Sequence, residues 1–235
     1  MNMNSTTAKE LADFVHQTHL ALADTKKAGA MAAYMKTTMP FYGLAKPQRV
    51  PIYKQMKALF PAKSRREYEA GVRALWSLPH REGKYAALVY ARQWNPFITA
   101  ESIPLYEFMI RGGAWWDLVD DIAVHLAGHV YLHERAAVKP VVEAWVGDPD
   151  LWIRRTAILI HNKHKKLTDE KQLFAHCLRL AHEKEFFIRK AIGWALRQYS
   201  YTNPDSVRRF LKTNEPRFSG LTLREGSKQL MRKQE

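Results

Sequence analysis

Apolar residues recur at i, i+3 and i+4 along most of the chain. The pattern runs through AKELADFVHQTHLAL, PQRVPIYKQMKALF, SRREYEAGVRALWSL, KPVVEAWV, DEKQLFAHCLRLAH and FFIRKAIGWALRQY, and is that of helices with one buried face. Alternation at every second residue is nearly absent, so the chain is expected to be all-α. Breakers fall at short intervals, at Pro40, Gly43, Pro47, Pro61, Pro79, Pro96, Pro104, Gly112 and Gly113, Pro140, Pro149, Pro204 and Pro216. Connections should therefore be short, and several of these prolines stand where a first helical turn tolerates a missing N–H. No low-complexity linker interrupts the series. The expectation is a single domain over 1–235, with an N-terminal helix in 1–30 and helical repeats over 31–230.

A longer period lies above the helical one. LWIRRTAIL (151–159) and FFIRKAIGW (186–194) superimpose at an offset of 35, pairing Ile153 with Ile188, Arg154 with Arg189 and Arg155 with Lys190. The same step backwards reaches Asp120 and then Tyr85. A period of this size fits stacked helical hairpins of HEAT or related type. In a stack, equivalent positions point to the same side, so Tyr85, Asp120, Arg155 and Lys190 are expected to form a row. The alternative is a coincidence of two helix starts.

Charge narrows the partner. The chain carries 37 Lys+Arg against 23 Asp+Glu, a formal net charge of +14, which favours a polyanion such as nucleic acid, with an anionic membrane surface as the second reading. Cys177 is the only cysteine, which excludes an intramolecular disulfide and a cysteine-based zinc cluster. MNMNSTTAKELADF has no apolar leader region and no run approaches the length of a spanning helix, so the expected location is the cytoplasm.

Against this basic background RGGAWWDLVDDIAVHLAG (111–128) gathers two indoles and three carboxylates. On a helix, Trp115, Leu118, Val119 and Ile122 share the core stripe, Trp116 and Asp120 lie side by side on its flank, and Asp117 and Asp121 turn further towards solvent. Arg155, flanked by Leu151, Trp152 and Leu159, needs an anion, either Asp120 one repeat away or a phosphate. In KAIGWALR, Lys190, Gly193, Trp194 and Arg197 share a face opposite Ile188, Ile192 and Leu196. Cations snorkelling over a half-buried indole would give the same wheel. Gly193 costs roughly 1 kcal/mol relative to Ala inside a helix, which points to something approaching the backbone there.

WWDLVD, LWIRRTAIL, KEFFIRKAIGWALRQYSYTNPD and YMKTTMPFYGLAKPQR together resemble the AlkD family of bacterial DNA alkylation-repair glycosylases, over most of the chain from Met31 to Lys228. The resemblance implies a right-handed solenoid of HEAT-like repeats with a concave basic groove. It also implies removal of positively charged alkylpurines, chiefly 3-methyladenine and 7-methylguanine, from duplex DNA without a base-binding protein pocket. Carried residue by residue, it makes Asp120 the catalytic carboxylate, puts Trp116 and Trp194 against the sugar of the lesion nucleotide, and gives Arg155 a part in binding the DNA backbone. The sequence departs from the family pattern at Lys46, where a helix-capping Thr is expected.

The chemistry is consistent with one carboxylate. An N3- or N7-alkylated purine is already cationic and leaves as a neutral base, so the general acid of ordinary glycoside hydrolysis is not needed. What remains is positive charge on the deoxyribose, which a fixed carboxylate stabilises while orienting water. Indole faces add on the order of 0.5–2 kcal/mol each. No cofactor or metal is expected: His125, His129 and His133 have helical spacing but lack the glutamate of a zinc-protease motif. Phosphate contacts are expected from Arg155, Lys190, Arg197, Lys46, Arg49, Lys163, Lys165, Arg224 and Lys228, against the alternative of solvated helix ends. The expected partner is duplex DNA carrying alkylated bases, bound by a monomer. A non-catalytic DNA-structure-binding protein and a HEAT-like protein-binding scaffold are the alternatives.

Overall fold

A computed structural model describes residues 3–231. The described residues are helical, without strands, and the fold is all-α of the helical-repeat type. The chain divides into two compact units, Met1–Ile98 and Thr99–Glu235.

The first unit contains α1 (Met3–Ala21), α2 (Thr25–Met35), α3 (Lys46–Leu59), α4 (Arg65–Trp76) and α5 (Arg81–Gln93). Its helices begin where side chains accept orphan N–H groups: Asp24 caps Lys27 and Ser64 caps Glu67, as short polar residues do at N-caps. At the start of α3 the N-cap is Ala45, which has no acceptor, and Lys46 opens the helix exposed to solvent. Gln48 compensates from the other side, its Oε1 accepting the Ala45 N–H at 3.0 Å. That is the reciprocal half of a capping box.

The loop joining α2 to α3 is held by a single carboxylate. Glu82, fully buried in the first turn of α5, accepts N–H groups from Tyr42 (3.0 Å), Gly43 (2.9 Å) and Leu44 (3.1 Å). Its neighbour Arg81, also fully buried, donates its own N–H to the Pro40 carbonyl at 2.8 Å. Gly43 has φ +90, and a Cβ there would stand 2.2 Å from the Asp24 carbonyl oxygen, so only glycine lets the three amides converge.

The second unit contains α6 (Ile103–Gly113), α7 (Trp116–Ile122), a π-helical turn (Ala123–Ala127), α8 (Gly128–His133), α9 (Arg135–Trp145), α10 (Leu151–Leu159), α11 (Glu170–Arg179), α12 (Phe186–Ser200), α13 (Pro204–Thr213) and α14 (Gly220–Ser227). Asp150, Asp169, Asn203 and Ser219 cap α10, α11, α13 and α14. Pro204 opens α13, as anticipated, but Pro140 does not end a helix. It lies inside α9 as its sixth residue, where the missing N–H forgoes one bond to the Ala136 carbonyl, and the helix still buries Val138, Val142 and Trp145. Ile153, Ile158, Leu173, Ile188, Leu196 and Val207 are fully buried, and Cys177 lies among them with no exposed surface and a thiol pushed up by burial. No helix of the described residues is long and apolar enough to cross a membrane.

Candidate active site

The site begins at a kink. α6 stops at Gly113, and Ala114 takes a left-handed conformation (φ 38, ψ 38), its N–H closing on the Ile110 carbonyl. The left-handed residue is thus an alanine and not either preceding glycine, which costs on the order of 1–2 kcal/mol. Trp115 follows in extended backbone as the N-cap of α7. Its ring packs against Trp152 and Phe187, with centroids 6.0 and 5.7 Å away. Leu118, Val119 and Ile122 are fully buried. Trp116 remains exposed and Asp120 half-buried beside it, the flank position that helical geometry gives an i, i+4 pair. Asp117 and Asp121 are also half-buried, so the solvent-facing positions expected for them are only partly realised.

Arg155 decides what Asp120 is. From α10, its Nε donates to Asp120 Oδ1 at 2.7 Å and its Nη2 to Oδ2 at 2.8 Å, while Nη1 donates to the Phe187 carbonyl at 2.5 Å. The Arg155 side chain is 4 % exposed. Of the two anions open to Arg155, the structure therefore provides Asp120. A fork-to-fork pair fixes both oxygens in one plane, and it uses only about two of the four lone-pair positions of a carboxylate. Burial pushes the Asp120 carboxyl above the usual carboxylate range, opposed by the Arg155 hydrogen bonds.

Trp116, Asp120, Arg155, Phe186, Phe187, Lys190, Trp194 and Arg197 line one cavity of about 390 Å³. The structure thus brings together six of the residues singled out in the sequence and adds two phenylalanines, of which Phe186 is exposed. The resulting wall is aromatic, with one carboxylate fixed in it and cations at its edge. Such a surface suits a group that is cationic and apolar in part while attached to an anion.

The edge cations are organised by a residue that sequence reasoning missed. Glu225 of α14, buried, accepts from Lys190 Nζ (3.1 Å), Arg197 Nη1 (2.5 Å) and Lys228 Nζ (2.5 Å). Burial alone would raise this carboxyl, but hydrogen bonds from Lys228, Arg197 and Lys190 hold it down to about 2. One signal for it was present, since Glu225 lies 35 residues after Lys190 and continues the row. Gly193 also belongs to this contact: a Cβ there would stand 2.5 Å from the Glu225 Cβ and 3.0 Å from the Thr222 carbonyl oxygen. What approaches the backbone at Gly193 is therefore α14, not a ligand.

The Glu225 cluster carries its own expected result. The group's ordinary pKa is 4.5 and the folded value about 2, so it stabilises the fold above about pH 5. That contribution is lost as pH falls through the folded value. The protection factors of α14 amides, relative to the intrinsic exchange rate at each pH, should fall in the window from about pH 5 to 2 in the native chain. In Glu225→Gln the low protection should already be present at pH 7. Unchanged α14 protection in that variant would remove the cluster's structural role.

The remaining predicted contacts are dispersed. Arg49 of α3 lies over the Tyr85 ring at 4.5 Å and donates to Tyr53 Oη at 3.3 Å. With Lys46 it lines a separate cavity of the first unit. Lys163 and Lys165 are exposed between α10 and α11, and Lys163 Nζ lies 3.1 Å from His125 Nδ1. Arg224 is exposed on α14. The rings of His129 and His133 lie against one another, their centroids 4.4 Å apart and their planes inclined by 47°. Among the described residues no three His, Cys, Asp or Glu side chains are grouped to hold a metal ion.

Comparison with known proteins fixes the family. The model of the DNA alkylation repair enzyme family matches residues 16–230. The chain belongs to the DNA alkylation repair enzymes. Among solved structures, one described as a predicted DNA alkylation repair enzyme from Enterococcus faecalis is 30 % identical, with a TM-score of 0.82 over 89 % of this chain and 97 % of its own. No curated protein matches the chain. Membership in the DNA alkylation repair enzymes makes DNA the partner to which the +14 charge is matched.

Proposed function

We propose that this DNA alkylation repair enzyme is an N-glycosylase that releases positively charged alkylpurines, 3-methyladenine and 7-methylguanine, from duplex DNA. The observation that carries the reading is the Asp120–Arg155 pair set in an aromatic-walled cavity of about 390 Å³. Asp120, locked in orientation by Arg155, presents its unused lone pairs to the C1′ side of the lesion nucleotide. There it stabilises charge growing on the deoxyribose and holds water for attack. Trp116 and Trp194 offer indole faces to the same cationic sugar. The base departs neutral, so no second acid is needed. Arg155 acts through Asp120 as a positioning residue. Lys190 and Arg197, anchored by Glu225, keep positive potential at the edge for the flanking phosphates.

Incubation of the protein with duplex DNA carrying a single 7-methylguanine should yield free 7-methylguanine and an abasic site. Absence of released base from duplexes containing either lesion would remove the proposal.

Backbone contact predicts a salt dependence. Duplex affinity should fall linearly with salt in log–log form, with a slope near −0.9 for each phosphate neutralised. Replacing Lys163 and Lys165 together by Ala should flatten the slope by about 2 for damaged and undamaged duplex alike. Arg155, enclosed and spent on Asp120 and Phe187, should leave the slope unchanged when replaced by Lys while base release falls. An unchanged slope in the double variant would exclude both lysines from the DNA interface.

A further inference from the structure

The first unit holds a cavity of about 510 Å³, lined from α2, the start of α3 and Tyr85 of α5. Lys27, Ala30, Met31 and Tyr34 all line it, and they fall at i, i+3, i+4 and i+7 of α2, on one face of the helix. That spacing is the one by which a helix ordinarily buries its apolar stripe. In α2 only Met35 is buried, and Tyr34 is 81 % exposed. Met35 and Phe41 continue the apolar lining. Methionines on such a surface adapt to the shape of an incoming apolar group.

The rest of the lining is cationic. Lys46 and Arg49 belong to the first turn of α3, which contains no acid, and its N-cap Ala45 has no side-chain acceptor. Lys46 thus adds a cation to the positive end of a helix dipole, an arrangement that an arriving anion relieves. The Arg49 guanidinium lies over the Tyr85 ring at 4.5 Å, which fixes where its charge stands. Lys27 is held by an exposed pair with Asp24 at 2.9 Å, a contact worth little in water and easily exchanged. The volume lies within the usual range for small-ligand sites, roughly 300–1,000 Å³.

Apolar surface and positive charge in one cavity select the ligand. A phosphate alone leaves the α2 stripe uncovered. A nucleobase has polar edges, and of Ala30, Met31, Tyr34, Met35 and Phe41 only Tyr34 has a side-chain hydroxyl to meet them. A chain terminus ending in a large apolar residue supplies both features at once, since its carboxylate and its side chain leave the same Cα. Acidic residues just before it reach the remaining cation. We infer that this cavity docks the acidic C-terminal segment of a partner protein. The last side chain lies on Met31 and Tyr34, the terminal carboxylate meets Lys46 and Arg49, and a preceding acid meets Lys27. Such docking does not depend on the glycosylase chemistry, and it gives Lys46 and Arg49 an anion other than DNA phosphate.

The test uses the full chain and a fluorescein-labelled octapeptide, GSGDEDLF, with a free C-terminal carboxylate, followed by fluorescence anisotropy. Saturable binding is expected, with Kd below about 100 μM. Two comparators separate docking from general attraction to a basic protein. The C-terminal amide of the peptide, and GSGDEDSS, which keeps every charge and loses the apolar end, should each bind at least about tenfold more weakly. Tyr34→Ala removes an exposed ring and Lys46→Glu reverses an exposed charge, so both variants keep the fold. Each should weaken peptide binding about tenfold or more. No saturable binding, equal binding of either comparator, or native peptide affinity in Tyr34→Ala overturns the docking site. Loss of duplex affinity in Tyr34→Ala without peptide binding to the native chain gives the cavity to DNA and overturns it as well. Peptide binding is read without DNA, so its outcome and that of the base-release assay are independent.

Discussion

Asp120→Asn is expected to lower release of 7-methylguanine from duplex DNA at least about 100-fold while duplex affinity holds or rises. The substitution keeps the shape and one acceptor oxygen but removes the charge that meets the developing sugar cation. It also places an amide against the Arg155 fork, which donates to both carboxylate oxygens, so one of the two hydrogen bonds becomes a donor facing a donor. Affinity should not suffer, because Asp120 repels phosphate and contributes nothing to backbone binding. Asp117→Asn, an equal change of charge one turn earlier on α7, is the control and should stay within a few-fold of the native rate. Single-turnover release across the three proteins decides the matter. A native rate in Asp120→Asn with unchanged melting would refute the catalytic assignment.

The second large effect concerns folding. Glu82→Ala leaves three buried amides, those of Tyr42, Gly43 and Leu44, without their acceptor, at a cost on the order of 3 kcal/mol or more. For a chain of this size that corresponds to roughly 6–12 °C in Tm. Glu82→Gln should fall between, since the carboxamide keeps one acceptor but turns a donor towards the converging N–H groups. Melting followed by circular dichroism is sufficient, and a loss below about 1 kcal/mol in Glu82→Ala would mean that the loop finds other acceptors.

These two carboxylates show what a sequence discloses and what it hides. Asp120 was legible because a period of 35 ties it to Arg155 and Lys190, and because an indole one turn away marks a flank instead of a solvated face. The all-helical architecture was legible for the same kind of reason: periodic burial repeats, and repetition is visible in one dimension. Glu82 had no such signature. An acid in the first turn of a helix reads as ordinary dipole complement, and nothing local distinguishes one that reaches across to a loop 38 to 40 residues earlier. Glu225 was concealed by its own neighbours, since a row of cations suggests an external anion before an internal one. Gly193 was noticed for the right anomaly and given the wrong visitor, because close approach of a helix and of a ligand leave the same mark on a sequence. Pro140 was overweighted as a breaker, since one forgone hydrogen bond is offset where the helix around it buries Val138, Val142 and Trp145. The division at Ile98 and Thr99 has no compositional trace.

The agents that alkylate DNA also consume thiols, and a DNA alkylation repair protein must outlast that exposure. Cys177, the only cysteine in the chain, has no accessible surface, and burial holds its thiol in the protonated form. Only the thiolate reacts readily with an electrophile. The folded molecule thus presents no accessible cysteine sulfur to an alkylating agent, and loss of Cys177 to such an agent requires α11 to open first, at a rate that couples the opening equilibrium to the concentration of the agent.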